Sequence, residues 1–208
     1  MMRRGRRQMN EHAVLLNNIK LNSCIRKMSI FTSESIQVCT TRDEKYASLA
    51  LHAANNSNMK YHQHGCIAVA DGTVLASGCN SYGIPTVMAK DKYLQTTCTC
   101  HAEADVLRKI ERLLIKKQLH NTHRTRFLSR ISIYVVRKDK RGNQYKDSTP
   151  CLSCGNFMKS LNIKNVIYSN ASGTLTKCRV RDYKTSYSSQ GTRFLNRNYV
   201  NREFIVYK

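Results

Sequence analysis

Residues 101–117 read His-Ala-Glu-Ala-Asp-Val-Leu-Arg-Lys-Ile-Glu-Arg-Leu-Leu-Ile-Lys-Lys, and this stretch decides how the chain folds. Apolar side chains recur at helical spacing at Val106, Ile110, Leu113 and Leu114, and the pattern predicts one amphipathic helix over residues 102–116. Lysines fall in its last turn, where they face the negative end of the helix dipole. A His and a Glu stand at its start, so this helix begins with reactive side chains.

A second predicted helix, from Leu152 to Leu161, also begins with reactive side chains, because it follows Pro150-Cys151-Leu152-Ser153-Cys154. A Cys-x-x-Cys pair at a helix start directs both sulfurs the same way, and the positive helix end favours the thiolates that metals bind. One His and two Cys suit zinc, and three protein ligands leave a tetrahedral zinc one position for water. A structural zinc or a redox Cys pair is the alternative interpretation.

The segments around these two helices alternate between helix and strand. Thr41 as N-cap and Glu44 as its capping-box partner predict a helix over residues 42–54. The turn dipeptide Asp71-Gly72 joins two apolar runs, which predicts a β-hairpin of residues 66–70 and 73–77. The further predicted strands are 131–136, 165–169 and 174–180. We expect loops at 81–99 and 137–149 and a basic connection at 117–130. This alternation predicts an α/β layered domain.

Three segments differ in composition along the 208 residues. Residues 1–40 form a basic N-terminal extension, for which we expect little fixed structure. Residues 41–180 hold the predicted α/β domain. Residues 181–208 form a basic and aromatic C-terminal tail, which could either stack on nucleic-acid bases or pack its aromatic rings on the core.

Charge is the unusual feature of the composition. The chain has 35 Lys and Arg against 13 Asp and Glu, a formal net charge of +22. Residues 108–146 alone carry thirteen basic and two acidic residues, a net of +11. Such a balance attracts polyanions or nucleotides and says nothing about the fold. We expect the basic residues near 116–141, among them Lys138, Lys140 and Arg141, to contact phosphate.

The nine cysteines indicate where the protein works. The count is odd and no secretory signal precedes them, so we expect free thiols in a reducing, intracellular compartment, most simply the cytoplasm. The basic start also leaves a mitochondrial presequence open. The longest uncharged apolar run, Ile131 to Val136, is far short of the ~18 residues of a membrane span. We therefore expect no membrane association.

The two motifs together, His101-Ala102-Glu103 and Pro150-Cys151-Leu152-Ser153-Cys154, match the H-x-E … P-C-x-x-C pattern of zinc deaminases. The chain resembles the cytidine/deoxycytidylate deaminase superfamily over roughly residues 42–170. The predicted hairpin ending at Gly78-Cys79-Asn80 also resembles the first hairpin of that family. The resemblance implies a three-layer α-β-α fold with a mixed sheet of about five strands, and zinc held between two helix starts.

The resemblance also implies roles for individual residues. His101, Cys151 and Cys154 would bind Zn²⁺, and Glu103 would move protons between the zinc water and the substrate. Asn80 would contact the sugar, and backbone groups of Ala102 and Cys151 would hold the base or the water. Ser148, just before Thr149, is a further candidate for contact with the substrate. A second zinc nearby is a weaker alternative, drawing on His62, His64, Cys66, Cys79, Cys98 and Cys100.

Two departures from the family pattern bear on the substrate. The gap between Glu103 and Pro150 is 46 residues, longer than in compact nucleotide deaminases. Thr149 stands before Pro150, where tRNA adenosine deaminases carry an acid, which favours cytosine over adenine. The first expectation is therefore a homo-oligomeric enzyme that deaminates a free cytosine nucleotide or nucleoside, with dCMP as first guess. A polynucleotide cytidine deaminase and a non-catalytic nucleic-acid-binding relative are the alternatives.

Overall fold

The computed structural model describes residues 36–82, 99–139 and 144–193. Its helices are α1 (Thr41–Ala53), α2 (Ala102–Lys116), α3 (Asn121–Leu128) and α4 (Leu152–Ser160). Its strands are β1 (Ile36–Gln37), β2 (His64–Ala70), β3 (Thr73–Cys79), β4 (Ser81–Tyr82), β5 (Thr99–Cys100), β6 (Ser132–Lys138), β7 (Tyr145–Lys146), β8 (Asn165–Ser169) and β9 (Leu175–Arg179). Most of the 1–40 extension, of the predicted loop 81–99 and of the C-terminal tail lies outside the described residues.

Seven strands form one mixed sheet in the order β1-β9-β8-β6-β2-β3, with the short β7 paired to β6. The β6–β8 pair is parallel, whereas the other pairs are antiparallel. Five strands are five to seven residues long, and β1 and β7 have two residues each. The predicted mixed sheet of about five strands is confirmed, with two short additions at its margins.

Helices cover both faces of the sheet. Alternate residues of a strand point to opposite faces, and β2 follows this rule: Ile67 and Val69 pack with α1, whereas Cys66 and Ala68 pack in the larger cluster with α2 and α4. The predicted three-layer α-β-α architecture is therefore confirmed. Among the described residues, no helix is both long and apolar enough to cross a membrane.

Strand register defines two ends of the sheet. His64 pairs with Arg137 at one end of β2 and β6, and Val69 pairs with Ser132 at the other. Ser132 in turn pairs with Asn165. We call the first the pocket end, because His64 and Arg137 line a cavity there, and the second the far end.

Several sequence predictions are confirmed residue by residue. Helix α2 spans Ala102–Lys116 and strand β8 spans Asn165–Ser169, both as expected. The turn at Asp71-Gly72 has φ values of 50° and 84°, which are the two positive-φ positions that this dipeptide suits.

The capping prediction for α1 was wrong by one residue. The N-cap is Thr40, whose side chain accepts from the Asp43 backbone, while the Asp43 carboxylate accepts the Thr40 N–H at 2.8 Å. Asp43 takes this role because it is buried and needs donors, and it also accepts from Tyr134 at 2.8 Å and Lys177 at 3.0 Å. Glu44 is exposed and has no such need.

The basic connection at 117–130 was also interpreted wrongly, because residues 121–128 form helix α3. The sequence of this segment has no apolar periodicity, and Leu128 is the one residue of α3 that is buried. Phe127 and Leu128 pack on the main core cluster, and this tertiary contact stabilises a helix that the sequence pattern does not reveal. Likewise, the loop expected at 137–149 contains β7, and the ends of the loop expected at 81–99 pair as β4 and β5.

We predict that Asp43→Asn lowers the free energy of unfolding by about 2–4 kcal/mol, because Lys177 loses a buried partner. The Asp43 side chain is 4% exposed and that of Lys177 is 19% exposed. Urea unfolding of both proteins measures the difference. Glu44→Gln, one residue away and exposed, is the matched control and should change stability by under about 0.5 kcal/mol.

The pH dependence of this effect has a definite sign. Burial alone would raise the pKa of Asp43, but hydrogen bonds from Thr40, Tyr134 and Lys177 outweigh it and hold that pKa below its ordinary value. A lowered carboxyl pKa stabilises the fold above the unfolded pKa of about 3.9, and this stabilisation is lost as pH falls through the folded pKa. The stability gap between the wild-type protein and the Asp43→Asn variant should therefore close in acid, and a gap that widens there would contradict the assignment.

Candidate metal centre and its pocket

Two helices begin at the pocket end and bring three donor side chains together. His101 is the N-cap of α2 and Cys151 is the N-cap of α4. The Nδ1 atom of His101 lies 3.3 Å from Sγ of Cys154 and 3.4 Å from Sγ of Cys151. One donor atom from each residue lies within 4.8 Å of the other two. The structure therefore brings together the three residues expected to bind zinc.

This donor set fits zinc. Imidazole nitrogen and thiolate sulfur are the ligands zinc prefers, and a tetrahedral ion with three protein ligands keeps one open position. Cys151 and Cys154 are buried. Their sulfurs and the His101 nitrogen already converge, so binding an ion needs no rearrangement of the helices.

The thiols and the imidazole perturb one another. A hydrogen bond with the Cys154 thiol, followed by one with His101, lowers the pKa of Cys151. Burial alone would lower the pKa of His101, but the bond to Cys151 and nearby negative charge raise it. The chain thus favours a thiolate at Cys151, the form in which cysteine binds a metal.

Glu103 lies beside this group without belonging to it. It is in the first turn of α2 and is 6% exposed. Burial, the largest influence, raises the pKa of its carboxyl, and nearby His101 lowers it. The nearby Cys154 thiol also lowers this pKa. Glu103 is therefore a buried acid beside the donor group, and it also lines the neighbouring cavity.

A cavity of about 700 Å³ opens beside the donor group. Volumes of about 300–1,000 Å³ are typical of small-molecule sites. The described residues that line this cavity are Met59, His62, His64, Asn80, Thr99, His101, Ala102, Glu103, Arg137, Asp147, Ser148, Thr149, Cys151, Tyr187, Ser189, Gln190, Gly191 and Arg193. Six of the seven site residues that the sequence singled out line this cavity. The seventh, Cys154, is buried.

Asn80 lies in the pocket wall with most of its amide already bonded. Its Oδ1 accepts from the Ser57 hydroxyl and from the His64 backbone N–H, each at 2.8 Å, and its Nδ2 donates to the His62 carbonyl at 2.8 Å. Asn80 thereby ties three segments together at the pocket. Nδ2 also lies 3.4 Å from Nδ1 of His64, so the expected sugar contact stays a prediction and would compete with this ring for the second amide hydrogen.

Ser148 and Ala102 also lie in the pocket wall, and they differ in how their polar groups are bonded. The Ser148 hydroxyl donates to the Val135 carbonyl at 2.8 Å and lies 2.8 Å from the Ser169 hydroxyl, so it holds β6 and β8 together. Ala102 opens α2, where a backbone N–H has no acceptor within the helix. Of the two, Ala102 offers a backbone donor that has no partner in its own helix.

Positive charge in the pocket comes from arginine. Among the described residues, Arg137 and Arg193 contribute guanidinium groups to the lining. In the part of the chain that the structure describes, the buried Nε of Arg137 has no hydrogen-bond partner. Burial lowers the pKa of His64 to about 4, so this imidazole is neutral at pH 7. Sequence reasoning did not single out Arg137, because it lies in a segment with many basic residues. The sequence does not show which of them faces the cavity.

The C-terminal tail supplies another wall that sequence reasoning missed. The Tyr187 carbonyl accepts the Leu152 N–H at 2.8 Å, beside Cys151. Tyr183 is buried, and its hydroxyl donates to the Pro150 carbonyl at 2.5 Å. This part of the tail therefore packs on the domain, as one of the two expectations had it, and residues 187–193 reach the pocket.

The other described cysteines and histidines form no second metal group. Among residues 36–82, 99–139 and 144–193, the cluster of His101, Cys151 and Cys154 is the one that could hold an ion. Cys66 is buried in the core. The Cys100 sulfur accepts from Arg108 at 3.1 Å. Cys98 lies outside the described residues.

An α-β-α domain with a His/Cys/Cys group between two helix starts and an acid two residues after the His defines a class of zinc enzymes that activate water. Residues 40–170 match the family model described as the cytidine and deoxycytidylate deaminase zinc-binding region. The chain belongs to this family of zinc-dependent hydrolytic deaminases. A comparison of the sequence with curated proteins gives no match.

Solved structures of similar fold include members of this family. A dCMP deaminase from the cyanophage S-TIM5 is 21% identical, with 65% of this chain and 87% of that chain covered and a TM-score of 0.43. A cytidine deaminase from Burkholderia pseudomallei is 19% identical, with 69% and 95% covered and a TM-score of 0.44. A tRNA:A34 deaminase is 21% identical, with 62% and 76% covered and a TM-score of 0.37.

We predict one tightly bound zinc per chain, lost in Cys154→Ser because two remaining ligands hold the ion far more weakly. Elemental analysis of the purified proteins measures the zinc content. Cys39→Ser is the matched control, since Cys39 bonds to the Leu175 carbonyl through its sulfur, away from the donor group. Equal zinc loss in both variants would contradict the assignment.

Proposed function

We propose that the protein removes the amino group of cytosine in a free 5′-mononucleotide, with dCMP as the first substrate. In the reaction, water adds to C4 of the ring, the C4–N bond breaks, and ammonia leaves a C4 carbonyl behind. The family supports the chemistry. The choice of a mononucleotide is carried by one observation: Arg137 lies in the pocket wall, and its buried Nε has no hydrogen-bond partner among the described residues.

The proposed metal ligands are His101, Cys151 and Cys154. When bound, zinc supplies the nucleophile by lowering the pKa of water to about 7. Glu103 would take the proton from that water and pass it to the ring nitrogen. It would then take the proton of the new C4 hydroxyl and give it to the departing amine, so that ammonia leaves and the C4 carbonyl forms. Its burial beside the donor group, at 6% exposure, supports this role. The backbone N–H of Ala102 would orient the base.

The phosphate argument starts from the cost of a buried unpaired donor. A buried N–H without an acceptor costs about 1–3 kcal/mol, and more for a charged group. A phosphate oxygen at Arg137 would remove that cost, and a guanidinium can bind phosphate with two parallel hydrogen bonds. Arg193 supplies a second cation in the same cavity. Together the two arginines form a basic spot within the pocket, which suits one phosphate group.

A polynucleotide substrate has less support. A polynucleotide would need a wide basic surface around the pocket. The basic residues of segment 112–130 lie toward the far end of the sheet instead, because the helices run in that direction. Helix α2 starts at the pocket and has 15 residues, so its C-terminus lies about 22 Å away. Lys138 donates to Asn55 at 2.8 Å, and Lys140 and Arg141 lie outside the described residues. Glu103 weighs against the non-catalytic alternative.

We predict that Glu103→Gln lowers kcat for dCMP by at least about 10²–10⁴-fold, because a general acid–base group is lost. Ammonia release measures the rate, and elemental analysis of the same sample measures zinc. Zinc content should stay unchanged, since the proposed role is proton transfer. Loss of zinc together with activity would show that Glu103 acts as a ligand instead.

We predict that Arg137→Gln raises KM for dCMP by about 10- to 100-fold, the range for a charge-assisted hydrogen bond, and leaves the kinetics of deoxycytidine nearly unchanged. Lys138→Gln is the matched control, because neighbouring strand residues point to opposite faces and its ammonium binds Asn55. A panel of dCMP, CMP, deoxycytidine, cytidine and single-stranded DNA measures substrate choice. Deamination of the DNA without turnover of dCMP or CMP would favour the polynucleotide alternative.

A further inference from the structure

The chain gathers exposed basic side chains from distant segments at the far end of the sheet. Helices α2 and α4 both start at the pocket and finish at this end, where Lys116, Lys117 and Lys159 stand exposed. Strand β8 begins there, just after Lys164, and β9 finishes there with Arg179, because Asn165 pairs with Arg179. Exposed Arg126 lies in α3, which precedes the first residue of β6. We call these six residues the basic end.

Few acidic residues near the basic end are available to balance its positive charge. The acids nearby already pair with other arginines: Asp71 with Arg130 at 2.8 Å, Glu111 with Arg124 at 3.5 Å, and Asp182 with Arg181 at 3.5 Å. Within residues 36–82, 99–139 and 144–193, the six basic side chains make no ion pair. Like charges this close repel one another, so a polyanion would stabilise them.

Distance separates the basic end from the active-site pocket. The length of α2 is about 22 Å, which is more than two Debye lengths at physiological salt, about 8 Å each. The basic end therefore contributes little to binding a phosphate at Arg137. A small substrate in the pocket therefore does not account for the basic residues at this end.

We propose that the basic end is a docking surface for the phosphate backbone of a nucleic acid, which binds there without entering the pocket. Its charges extend from the C-terminus of α2, which packs on β2 and β3, to the end of β9. Strands β2 and β9 are three strand spacings, about 14 Å, apart, so several backbone phosphates can bind at once. Neutralising phosphates with Lys and Arg releases counterions, which drives such binding without base contacts. Surfaces that dock on membranes combine basic side chains with many apolar ones. Among the described residues near the basic end, Ile115 and Val74 are the exposed large aliphatic side chains, so a nucleic acid fits this surface better than a membrane does.

The test uses a fluorescein-labelled 20-nucleotide single-stranded RNA that lacks cytosine, so that it cannot be a deamination substrate. Its affinity for the full chain is measured by anisotropy between 50 and 200 mM salt, values chosen to span the range over which counterion release is large. Two double variants each remove two charges: Lys116→Gln with Lys117→Gln, and Lys159→Gln with Lys164→Gln. The matched control is Lys60→Gln with Lys146→Gln, two exposed lysines near the pocket end.

We expect each double variant to weaken binding and to lower the slope of log K against log salt by about 1.4, which is about 0.7 per lost phosphate contact. Turnover of dCMP should not change in either variant. The control pair should keep wild-type affinity and slope. Thermal unfolding of each variant shows whether the fold is intact.

Three results would overturn the proposal. In the first, the wild-type chain does not bind the RNA at 50 mM salt. In the second, the control pair loses as much affinity as the two variants, so that the attraction is only net charge. In the third, the chain binds vesicles containing phosphatidylserine and leaves the RNA unbound. Each of these is independent of the deaminase assay, so the docking surface and the proposed function can fail separately.

Discussion

The parallel pairing of β6 with β8 is the constraint on which the site depends. A chain that leaves β6 at the pocket end must return to the far end before β8 can run parallel to it, and a helix is the usual return path. Helix α4 makes that return, so it has to start at the pocket end, where Cys151 and Cys154 stand. The register of one strand pair thus determines where two metal ligands lie.

The third ligand depends on a close contact between α2 and the hairpin. A Cβ atom on Gly78 would overlap the Asp105 carboxylate and crowd Val106. With glycine there, Asp105 accepts the Cys79 N–H at 3.3 Å and Lys109 at 2.8 Å, so the first turn of α2 is bonded to the end of β3. His101 precedes that turn and is therefore held at the same sheet edge as the two cysteines.

Much of the fold and the metal centre could be predicted because those features are local in sequence. The bounds of α2 follow from its apolar spacing, and the turn at Asp71-Gly72 follows from its two residue types. What was missed depends on contacts between distant segments. Asp43 displaces Glu44 as the capping residue because Tyr134 and Lys177 reach it. Likewise, α3 is stabilised by the core, and the role of Tyr187 in the pocket wall follows from its bond to α4.

The overall charge lies in two groups of residues, for which we propose different roles. Arg137 and Arg193 lie in the cavity, where a low dielectric strengthens each interaction with an anion. The lysines of the basic end face solvent, where a single pair is worth under about 1 kcal/mol and only several together bind strongly. A net charge of +22 read from the sequence cannot separate these groups, since residues 108–146 contribute to both.

The polar side chains around the cavity are mostly bonded to one another before any substrate arrives. Asn80 joins Ser57, His62 and His64, and Ser148 joins β6 to β8. Groups fixed in this way do not lose rotamer freedom when a ligand binds, so less of the binding free energy is lost. In the proposed function, recognition then falls to the convergent donors of the metal centre, Glu103 and Arg137. A substrate that reached all of them would carry its anionic group at a fixed distance from the reacting carbon, and the proposed mononucleotide meets this requirement.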